Sequence, residues 1–305
     1  MSFNQIYNKL LAKIKSDDLR GILLAIIDCF FFAQVVMLTR HLSAELHPYM
    51  VVFLRLSCGM LVLLPWAIKH GVANITLKRT DLFLGRAVFG VASMAMYTIA
   101  IANLPSTQIT AISFTVPIIT TFLAVFFFKE KLSIHLIIAL LIGFLGVSVI
   151  VFGNVGKINS YTGIVIFSAI LWAFTNIIMK KLAITYYSYD IRMSVFLMFI
   201  FMIPFAFILA LPVWSGITLM QFLLALLQGL CQVISQLCIS KAYRTTEMKI
   251  LMPFDFFRLV FVSIFAYFWF NEIITLRTFL GAVIIICGAI YVVFNISRKN
   301  SKLPL

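Results

Sequence analysis

Apolar residues occur in long runs along this chain, and short polar segments separate successive runs. A helix needs about 20 mostly apolar residues to cross the hydrocarbon core of a bilayer. The pattern therefore predicts an all-α membrane protein with ten transmembrane helices. Their approximate ranges are 20–39, 48–68, 82–102, 107–128, 134–152, 161–179, 191–211, 217–240, 248–270 and 276–294. The third and fourth helices are joined only by "NLPST", in which Pro105 marks a turn.

The composition excludes a large soluble domain. Of the 305 residues, 63% are hydrophobic and 11% are charged, and the mean hydropathy is +1.10. Soluble domains are typically about 45–50% apolar and about 25% charged. Most of the surface of this protein must therefore face lipid, which leaves residues 1–19 and 296–305 outside the two blocks of spans.

Residues 1–19 lack the apolar core of a cleavable signal peptide. Apolar residues at helical spacing between Phe3 and Ile14, with Lys9 and Lys13 off that stripe, predict a cytoplasmic amphipathic helix on the membrane surface. A frayed tail is the alternative. The cysteines all lie within spans, and no histidine has the spacing of a metal site. We therefore predict no disulfide, no metal and no cofactor.

The formal net charge of +14 is distributed unevenly across the membrane. With ten spans, both ends of the chain lie on one side, and seventeen Lys and Arg residues fall on that side. Only Arg40, Lys157 and Arg277 fall on the other. Cytoplasmic loops carry the excess of basic residues, so we predict that both termini, including a basic tail at 296–305, are cytoplasmic. The charge thus indicates topology and gives no reason to expect a nucleic-acid partner.

The two halves of the chain are similar to each other. The stretch "FFFKEKLSIHLIIALLIGFLGVSVIVFG" resembles "FWFNEIITLRTFLGAVIIICGAIYVVFN", and Glu130 aligns with Glu272. This similarity indicates duplication of a five-helix unit, with repeats at 20–153 and 161–295. Since five is odd, the second repeat enters the membrane from the opposite side. Transporters with such inverted repeats bind their solutes near the midplane, in a central cavity between the repeats.

Two motifs recur at equivalent places in the repeats. In each repeat, one span ends in the tripeptide apolar residue–any residue–Glu. The span that follows it contains glycines. With these motifs, the stretches "YTIAIANLPSTQITAISFTVPIITTFLAVFFFKEKL" and "PYMVVFLRLSCGMLVLLP" resemble the EamA-type families of the drug/metabolite transporter superfamily. The resemblance covers nearly the whole chain. It implies ten helices, a central cavity and alternating access.

The ninth span departs from this family pattern. Pro117 of the first repeat corresponds to Leu259 in the second, and Leu259 lies beside Asp255 and Arg258. An ordinary member of the family is apolar there. The sequence is similar in this respect to the S-adenosylmethionine uptake carriers of intracellular bacteria, which also carry charges in this span.

Asp255 and Arg258 are spaced to lie on one helical face near the midplane of the membrane. A charge at the bilayer centre costs about 2.5–3.5 kcal/mol on insertion scales, so such residues face a polar cavity. Because Arg258 has more donors than one carboxylate can satisfy, we predict that the pair binds the charged end of a solute. The alternative is an ion pair that only fixes the ninth span in the bundle.

Asp28 and Arg55 are the other charges deep within spans. Asp28 is the candidate proton-coupling residue if it titrates near neutrality, and a fixed salt bridge to Arg55 is the alternative. Arg55 is a candidate substrate-binding residue, and the four deep charges balance, which suits a zwitterion. Arg86 is nearer the end of its span. We interpret it as an anchor that extends to the membrane surface, in preference to a substrate contact.

Uncharged candidates for the site lie in three further spans. Gln228 and Gln232 belong to a glutamine-rich face of the eighth span. We predict that they line the cavity, and hydrogen bonds to neighbouring helices are the alternative. Trp172, Asn176 and Tyr97 are candidates for stacking on and hydrogen-bonding a planar ligand, with ordinary packing as the alternative.

These features predict a secondary transporter that moves a small charged or zwitterionic metabolite, of the amino acid or S-adenosylmethionine type, across the bacterial cytoplasmic membrane. A proton-driven exporter of drugs or amino acids is the alternative. The sequence lacks H-E-x-x-H spacing and a Ser–His or Ser–Lys arrangement, so we predict no enzyme and no catalytic residues. The expected partners are a small-molecule substrate and the lipid bilayer, and a homodimer stays open.

Overall fold

The computed structural model describes residues 16–70, 79–104, 109, 113, 115–130, 133–151, 160–186, 190–270 and 276–300. All secondary structure within these ranges is helical. Some predicted features lie outside the described residues, namely the surface helix at residues 3–14, the turn at Pro105, the repeat residue Glu272 and the end of the basic tail.

The helices follow the predicted apolar runs. They are α1 (Ser16–Leu42), α2 (Pro48–His70), α3 (Thr80–Asn103), α4 (Thr115–Phe128), α5 (Ile134–Val151), α6 (Ser160–Thr185), α7 (Ile191–Ala210), α8 (Leu219–Thr245), α9 (Met248–Leu251), α10 (Phe257–Phe270) and α11 (Leu276–Asn300). A 3₁₀ segment at Leu211–Val213 extends α7, and another at Met252–Phe256 joins α9 to α10. We refer to α9, the second 3₁₀ segment and α10 together as the ninth span.

Within the described residues, seven helical segments are long and apolar enough to cross a bilayer. They are α1, α2, α3, α6, α7, α8 and the ninth span. Shorter apolar helices at Thr115–Phe128, Ile134–Gly146 and Phe279–Tyr291 occupy the remaining predicted spans. Ten membrane helices therefore fit the described residues. The predicted class, an all-α membrane protein, is confirmed.

Helices extend beyond the apolar runs at both ends of the chain. α1 begins at Ser16, before its predicted span, and α11 continues to Asn300, within the predicted basic tail. The run of apolar residues marks the part of a helix that lies in lipid. The helix continues beyond that run because the polar residues there also form helical backbone hydrogen bonds.

The ninth span is broken, although the sequence predicted a single helix there. α9 ends at Leu251, and the chain passes through the 3₁₀ segment Met252–Phe256 before α10 begins. Pro253 lies at the start of this segment. Proline lacks a backbone N–H, and its ring clashes with the carbonyl four residues earlier, so a regular α-helix does not run through this position.

Contacts between the first five helices and the later ones hold the bundle together. α1 packs on α8 and α10, α2 on α7 and α8, α3 on α6, and α5 on α11. Small residues allow close approach where α2 meets α8. A Cβ placed on Gly229 of α8 would lie 2.5 Å from the backbone nitrogen of Gly59 in α2. Such small-residue contacts are typical of membrane helices, which gain little from apolar burial in lipid.

Replacing Gly229 with alanine is therefore expected to destabilise the protein. The added methyl group would force two backbones apart, and overpacking of this kind costs about 1–3 kcal/mol. Gly163 of α6 is the matched control, because a Cβ there meets nothing within 4 Å. Thermal unfolding in detergent should give a lower midpoint for Gly229→Ala and an unchanged or higher midpoint for Gly163→Ala. Equal midpoints for the two variants would contradict the close approach.

Candidate functional site

The break in the ninth span presents two opposite charges to the interior of the bundle. Asp255 lies in the 3₁₀ segment, and Arg258 lies in the first turn of α10. Arg258 Nη2 is 2.8 Å from Asp255 Oδ1. The side chain of Arg258 is 20% exposed and that of Asp255 is 18% exposed, so protein does not seal either of them completely.

A second carboxylate contacts the same guanidinium from α1. Asp28 is 2% exposed, and its Oδ2 lies 3.3 Å from Arg258 Nη2. Its Oδ1 accepts a hydrogen bond of 2.5 Å from the hydroxyl of Ser235 in α8. The ring of Phe32 lies 3.9 Å from the Arg258 guanidinium carbon, which adds a cation–π contact. Asp28, Asp255 and Arg258 thus form one charged cluster, in which a single guanidinium is shared by two carboxylates.

Two cavities meet at this charged cluster. The aromatic cavity has a volume of about 70 Å³, and its lining includes Phe32, Arg55, Tyr97, Trp172 and Arg258. The polar cavity has a volume of about 20 Å³, and its lining includes Asp28, Arg86, Asn176, Gln236 and Asp255. Phe32, Trp172 and Arg258 line both cavities and separate them. A water molecule needs roughly 10–15 Å³ of such space, so the cavities have room for water, and a metabolite requires the helices to move apart.

Arg55 of α2 lies in the aromatic cavity without an acidic partner among the described residues. It is 6% exposed, and neither its Nε nor its Nη2 has a hydrogen-bond partner in the described part of the chain. The alternative of a salt bridge between Asp28 and Arg55 is wrong, because Asp28 contacts Arg258 and Ser235 instead. The unpaired N–H groups of Arg55 leave it able to bind an anionic group.

Arg86 of α3 is not an anchor at the membrane surface, and that prediction is wrong. Its side chain is 1% exposed and lines the polar cavity. Nη2 donates to Gln236 Oε1 over 3.4 Å, and Nε donates to Met198 Sδ over 3.3 Å. Its spacing from Ser93 and Tyr97, seven and eleven residues later, places all three on one face of α3. That register is the sequence signal that Arg86 faces the interior.

The glutamine face of α8 is divided between helix packing and the site. Gln228 Nε2 donates to Thr39 Oγ1 of α1 over 2.7 Å, and Gln232 is fully buried one turn further along. Neither of them lines the aromatic or the polar cavity, so their role in binding stays a prediction. Gln236 is the glutamine that lines the polar cavity. The reason is that α8 packs along α1, and only the later part of its glutamine face reaches Arg86.

The aromatic and amide candidates all line a cavity. Trp172 of α6 packs edge-to-face on Phe32, with ring centroids 6.0 Å apart, and lines both cavities. Tyr97 lines the aromatic cavity, and Asn176 lines the polar cavity, where its amide donates to Thr120 Oγ1 over 3.5 Å. The structure thus brings together every predicted site residue except Gln228 and Gln232.

The charged cluster also contains a set of potential metal ligands. Asp28, Cys29 and Asp255 place one ligand atom each within 4.8 Å of one another. Arg258 lies against both carboxylates, however, and the Cys29 thiol donates to the carbonyl of Phe254 over 3.6 Å. Cysteine binds metals as a thiolate, and a carbonyl oxygen beside the sulfur disfavours that anion. The residues as arranged therefore form an ion-pair cluster, and its guanidinium would oppose a cation.

Comparison with known proteins assigns the family. The model of the EamA-like transporter family matches residues 19–152 and, a second time, residues 160–294. The chain belongs to this family. The resemblance inferred from the sequence motifs is confirmed, and with its apolar helices the protein is an integral, multi-pass membrane transporter. A crystal structure with 12% sequence identity has a TM-score of 0.76, covers 92% of this chain and 98% of that chain, and shows the shared fold.

Several relatives of this transporter carry more specific names. An S-adenosylmethionine uptake transporter from Rickettsia bellii is 26% identical over 87% of this chain and 90% of the relative. A riboflavin transporter from Vibrio cholerae is 25% identical over 95% of this chain and 98% of the relative. A pseudopaline exporter from Pseudomonas aeruginosa is 24% identical over 88% of this chain and 94% of the relative. Both uptake and export occur among these proteins, so family membership does not determine direction.

In the transporter, a buried ion pair that the sequence analysis missed joins the two halves. Glu130, the motif glutamate that follows α4, lies 2.6 Å from Lys180 Nζ of α6. Their side chains are 5% and 7% exposed. Glu130 also accepts hydrogen bonds of 3.2 Å from the backbone N–H groups of Met248 and Lys249, where α9 begins. Lys180 is one of the seventeen basic residues that the sequence analysis assigned to the cytoplasmic side, with no other role. The recurrence of the glutamate in the repeat was a signal of a structural role.

Replacing Lys180 with methionine is expected to destabilise the transporter strongly. The change leaves the Glu130 carboxylate buried without its cation, and breaking a buried ion pair costs about 3–5 kcal/mol. The neighbouring Lys181, whose Nζ lies 4.5 Å from the centroid of the Phe127 ring, provides the matched control. Denaturant unfolding in mixed micelles should show a large loss for Lys180→Met and a small one for Lys181→Met. Similar losses for the two variants would argue against a structural role for the buried pair.

Proposed function

We propose that this protein is a secondary transporter that moves a small charged or zwitterionic metabolite, of the amino acid or S-adenosylmethionine type, by alternating access. The observation that carries the proposal is the position of Arg258. It contacts both Asp28 and Asp255, and it lines the aromatic and the polar cavity. An ion pair that only fixed the ninth span would need no cavity on either side of it.

The charges around the cavities favour a solute that carries a negative group. The lining includes the guanidiniums of Arg55, Arg86 and Arg258 and the carboxylates of Asp28 and Asp255. Positive groups thus exceed negative ones within this set. A purely cationic solute would be repelled overall, whereas an acid or a zwitterion offers a partner to the guanidiniums.

The aromatic side chains and the named relatives support the same class of solute. Trp172 and Tyr97 provide flat apolar surfaces beside Arg55 in the aromatic cavity. S-adenosylmethionine combines an amino acid group with an aromatic base, and relatives with this substrate in their names match most of the chain. The pseudopaline exporter among the relatives supports the second candidate, a proton-driven exporter of drugs or amino acids.

The contacts between helices support two inverted repeats, at 20–153 and 161–295, around a central cavity. If α1–α5 correspond in order to α6, α7, α8, the ninth span and α11, exchanging the halves preserves the main contacts. The α1–α8 contact then corresponds to α6–α3, and the α1–α10 contact to α6–α4, while α5–α11 and α2–α7 map onto themselves. Two separate matches to one family model agree with this arrangement.

The excess of basic residues on one side favours cytoplasmic termini in the bacterial inner membrane.

We assign the proton-coupling role to Asp28. When ionised, it shares the Arg258 guanidinium with Asp255 and accepts a hydrogen bond from Ser235. Protonation would remove one of the two negative charges that hold Arg258 in place. The lining of the polar cavity would then be more positive, which changes its affinity for a charged solute and thereby couples the proton to binding.

Exchange in proteoliposomes tests the proposed function. The purified protein should catalyse saturable counterflow of one class of solute from a labelled panel of amino acids, S-adenosylmethionine, riboflavin, nucleotides and organic cations. Asp255→Asn and Arg258→Gln should each lower the exchange rate roughly tenfold or more, because each removes charge-assisted hydrogen bonds worth about 1.5–3 kcal/mol.

Arg192→Gln is the matched control for these variants. Arg192 also pairs with an aspartate, Asp190, at 2.6 Å, but this pair is exposed at the start of α7. The control should exchange solute at the wild-type rate. Undiminished exchange by folded Asp255→Asn and Arg258→Gln would make the charged cluster structural, and the absence of exchange with every compound would overturn the proposal.

A further inference from the structure

Arg86 is a buried charge to which the proposed function assigns no individual role. Its guanidinium is 1% exposed in the described structure and lines the polar cavity. Its hydrogen-bond partners, Gln236 and Met198, are both neutral, and the distances of 3.4 and 3.3 Å are long. The third nitrogen, Nη1, has no hydrogen-bond partner within the described part of the chain.

A guanidinium in this position needs a negative partner. Arginine stays protonated in proteins, and an uncompensated charge inside a membrane protein is strongly unfavourable. No carboxylate of the described residues lies within ion-pair distance of Arg86, since the buried acids are paired elsewhere. Asp28 contacts Arg258, and Glu130 contacts Lys180. The polar cavity in front of Arg86 is where a ligand could supply the missing charge.

α8 places Arg86 close to the charged cluster. Ser235 hydrogen-bonds Asp28, and the next residue, Gln236, hydrogen-bonds Arg86. Consecutive residues of a helix are separated by about 1.5 Å along its axis, so the two contacts lie at nearly the same level. One small cavity therefore presents carboxylates on one side and an unpaired guanidinium on another.

We propose that the polar cavity binds the head group of an α-amino acid, with Arg86 as the residue that recognises its carboxylate. The ammonium group would lie against Asp28 and Asp255, which share only one guanidinium between them. The rest of the solute would extend past Phe32 and Trp172 into the aromatic cavity, which those residues also line. This inference rests on the proposed function. It narrows the substrate to compounds that carry a carboxylate and an ammonium group on the same carbon.

Pairs of compounds that differ only in the carboxylate test the inference. Suitable pairs are S-adenosylmethionine with decarboxylated S-adenosylmethionine, L-phenylalanine with phenethylamine, and L-methionine with 3-methylthiopropylamine. Binding to the purified protein is measured by ligand-dependent stabilisation, because a ligand that binds only the folded state raises the unfolding midpoint. For at least one pair, the wild-type protein should bind the acid roughly 10- to 100-fold more tightly, as expected for charge-assisted hydrogen bonds.

Variants of Arg86 identify the residue responsible for this preference. Arg86→Gln should weaken binding of the acid and leave binding of the decarboxylated partner unchanged or stronger, since that cation no longer faces the Arg86 charge, so that the preference disappears. Arg86→Lys, which keeps the charge and loses the paired N–H geometry, should retain part of the preference. Arg20→Gln, at an exposed position near the start of α1, should retain all of it.

The outcomes separate this inference from the proposed function. A wild-type protein that does not distinguish the members of any pair, but exchanges another solute in proteoliposomes, would overturn the inference and leave a transporter. A preference that persists in Arg86→Gln would likewise overturn the role of Arg86. Failure to exchange any solute would instead overturn the proposed function. The wild-type comparison needs no variant, so it tests the preference for the carboxylate even if Arg86→Gln folds poorly, and Arg86→Lys then tests the residue.

Discussion

The contact of the Arg258 guanidinium with Asp28 and Asp255 constrains how the helices of this transporter are arranged. Arginine cannot lose its charge in a protein, so an apolar bundle can accommodate it only beside carboxylates or water. Asp28 supplies one carboxylate from α1, and Ser235 of α8 holds that carboxylate in position. Asp255 supplies the other from the ninth span itself. α1 must therefore meet both the ninth span and α8 at the level of Asp28.

The ninth span links this cluster to a second buried ion pair. Its first backbone N–H groups, at Met248 and Lys249, bind Glu130, which is paired with Lys180. Less than three turns further along, the same span carries Asp255 and Arg258. Glu130 thus connects the first half of the chain to a segment that Pro253 has already interrupted. A broken helix can change direction at its break at lower cost than a continuous one, which suits the alternating access that we propose.

The fold was largely predictable because a bilayer imposes a length and a polarity on every segment that crosses it. The helices of the described residues fit the ten apolar runs, and the paired motifs around Glu130 identified the family. The sequence did not reveal that the ninth span changes from α to 3₁₀ geometry, although Pro253 marks the place. Proline is tolerated in many membrane helices, as Pro65 and Pro204 are within α2 and α7 here. Its presence alone therefore does not distinguish a break from a kink.

The site residues were predictable where a charge deep in the membrane can only be stable inside the bundle. They were less predictable where the direction of the side chain determines whether it reaches the cavity. Deep charges such as Asp28 and Arg258 have no stable alternative to the interior, and both were identified from the sequence. Gln228 satisfies its amide on a neighbouring helix, so its polarity did not require a cavity. Arg86 is near enough to a helix end that its long side chain could have extended outward, and only the register it shares with Tyr97 decides between the two orientations. Reading helical register together with depth, rather than depth alone, would have placed Arg86 beside the charged cluster from the outset.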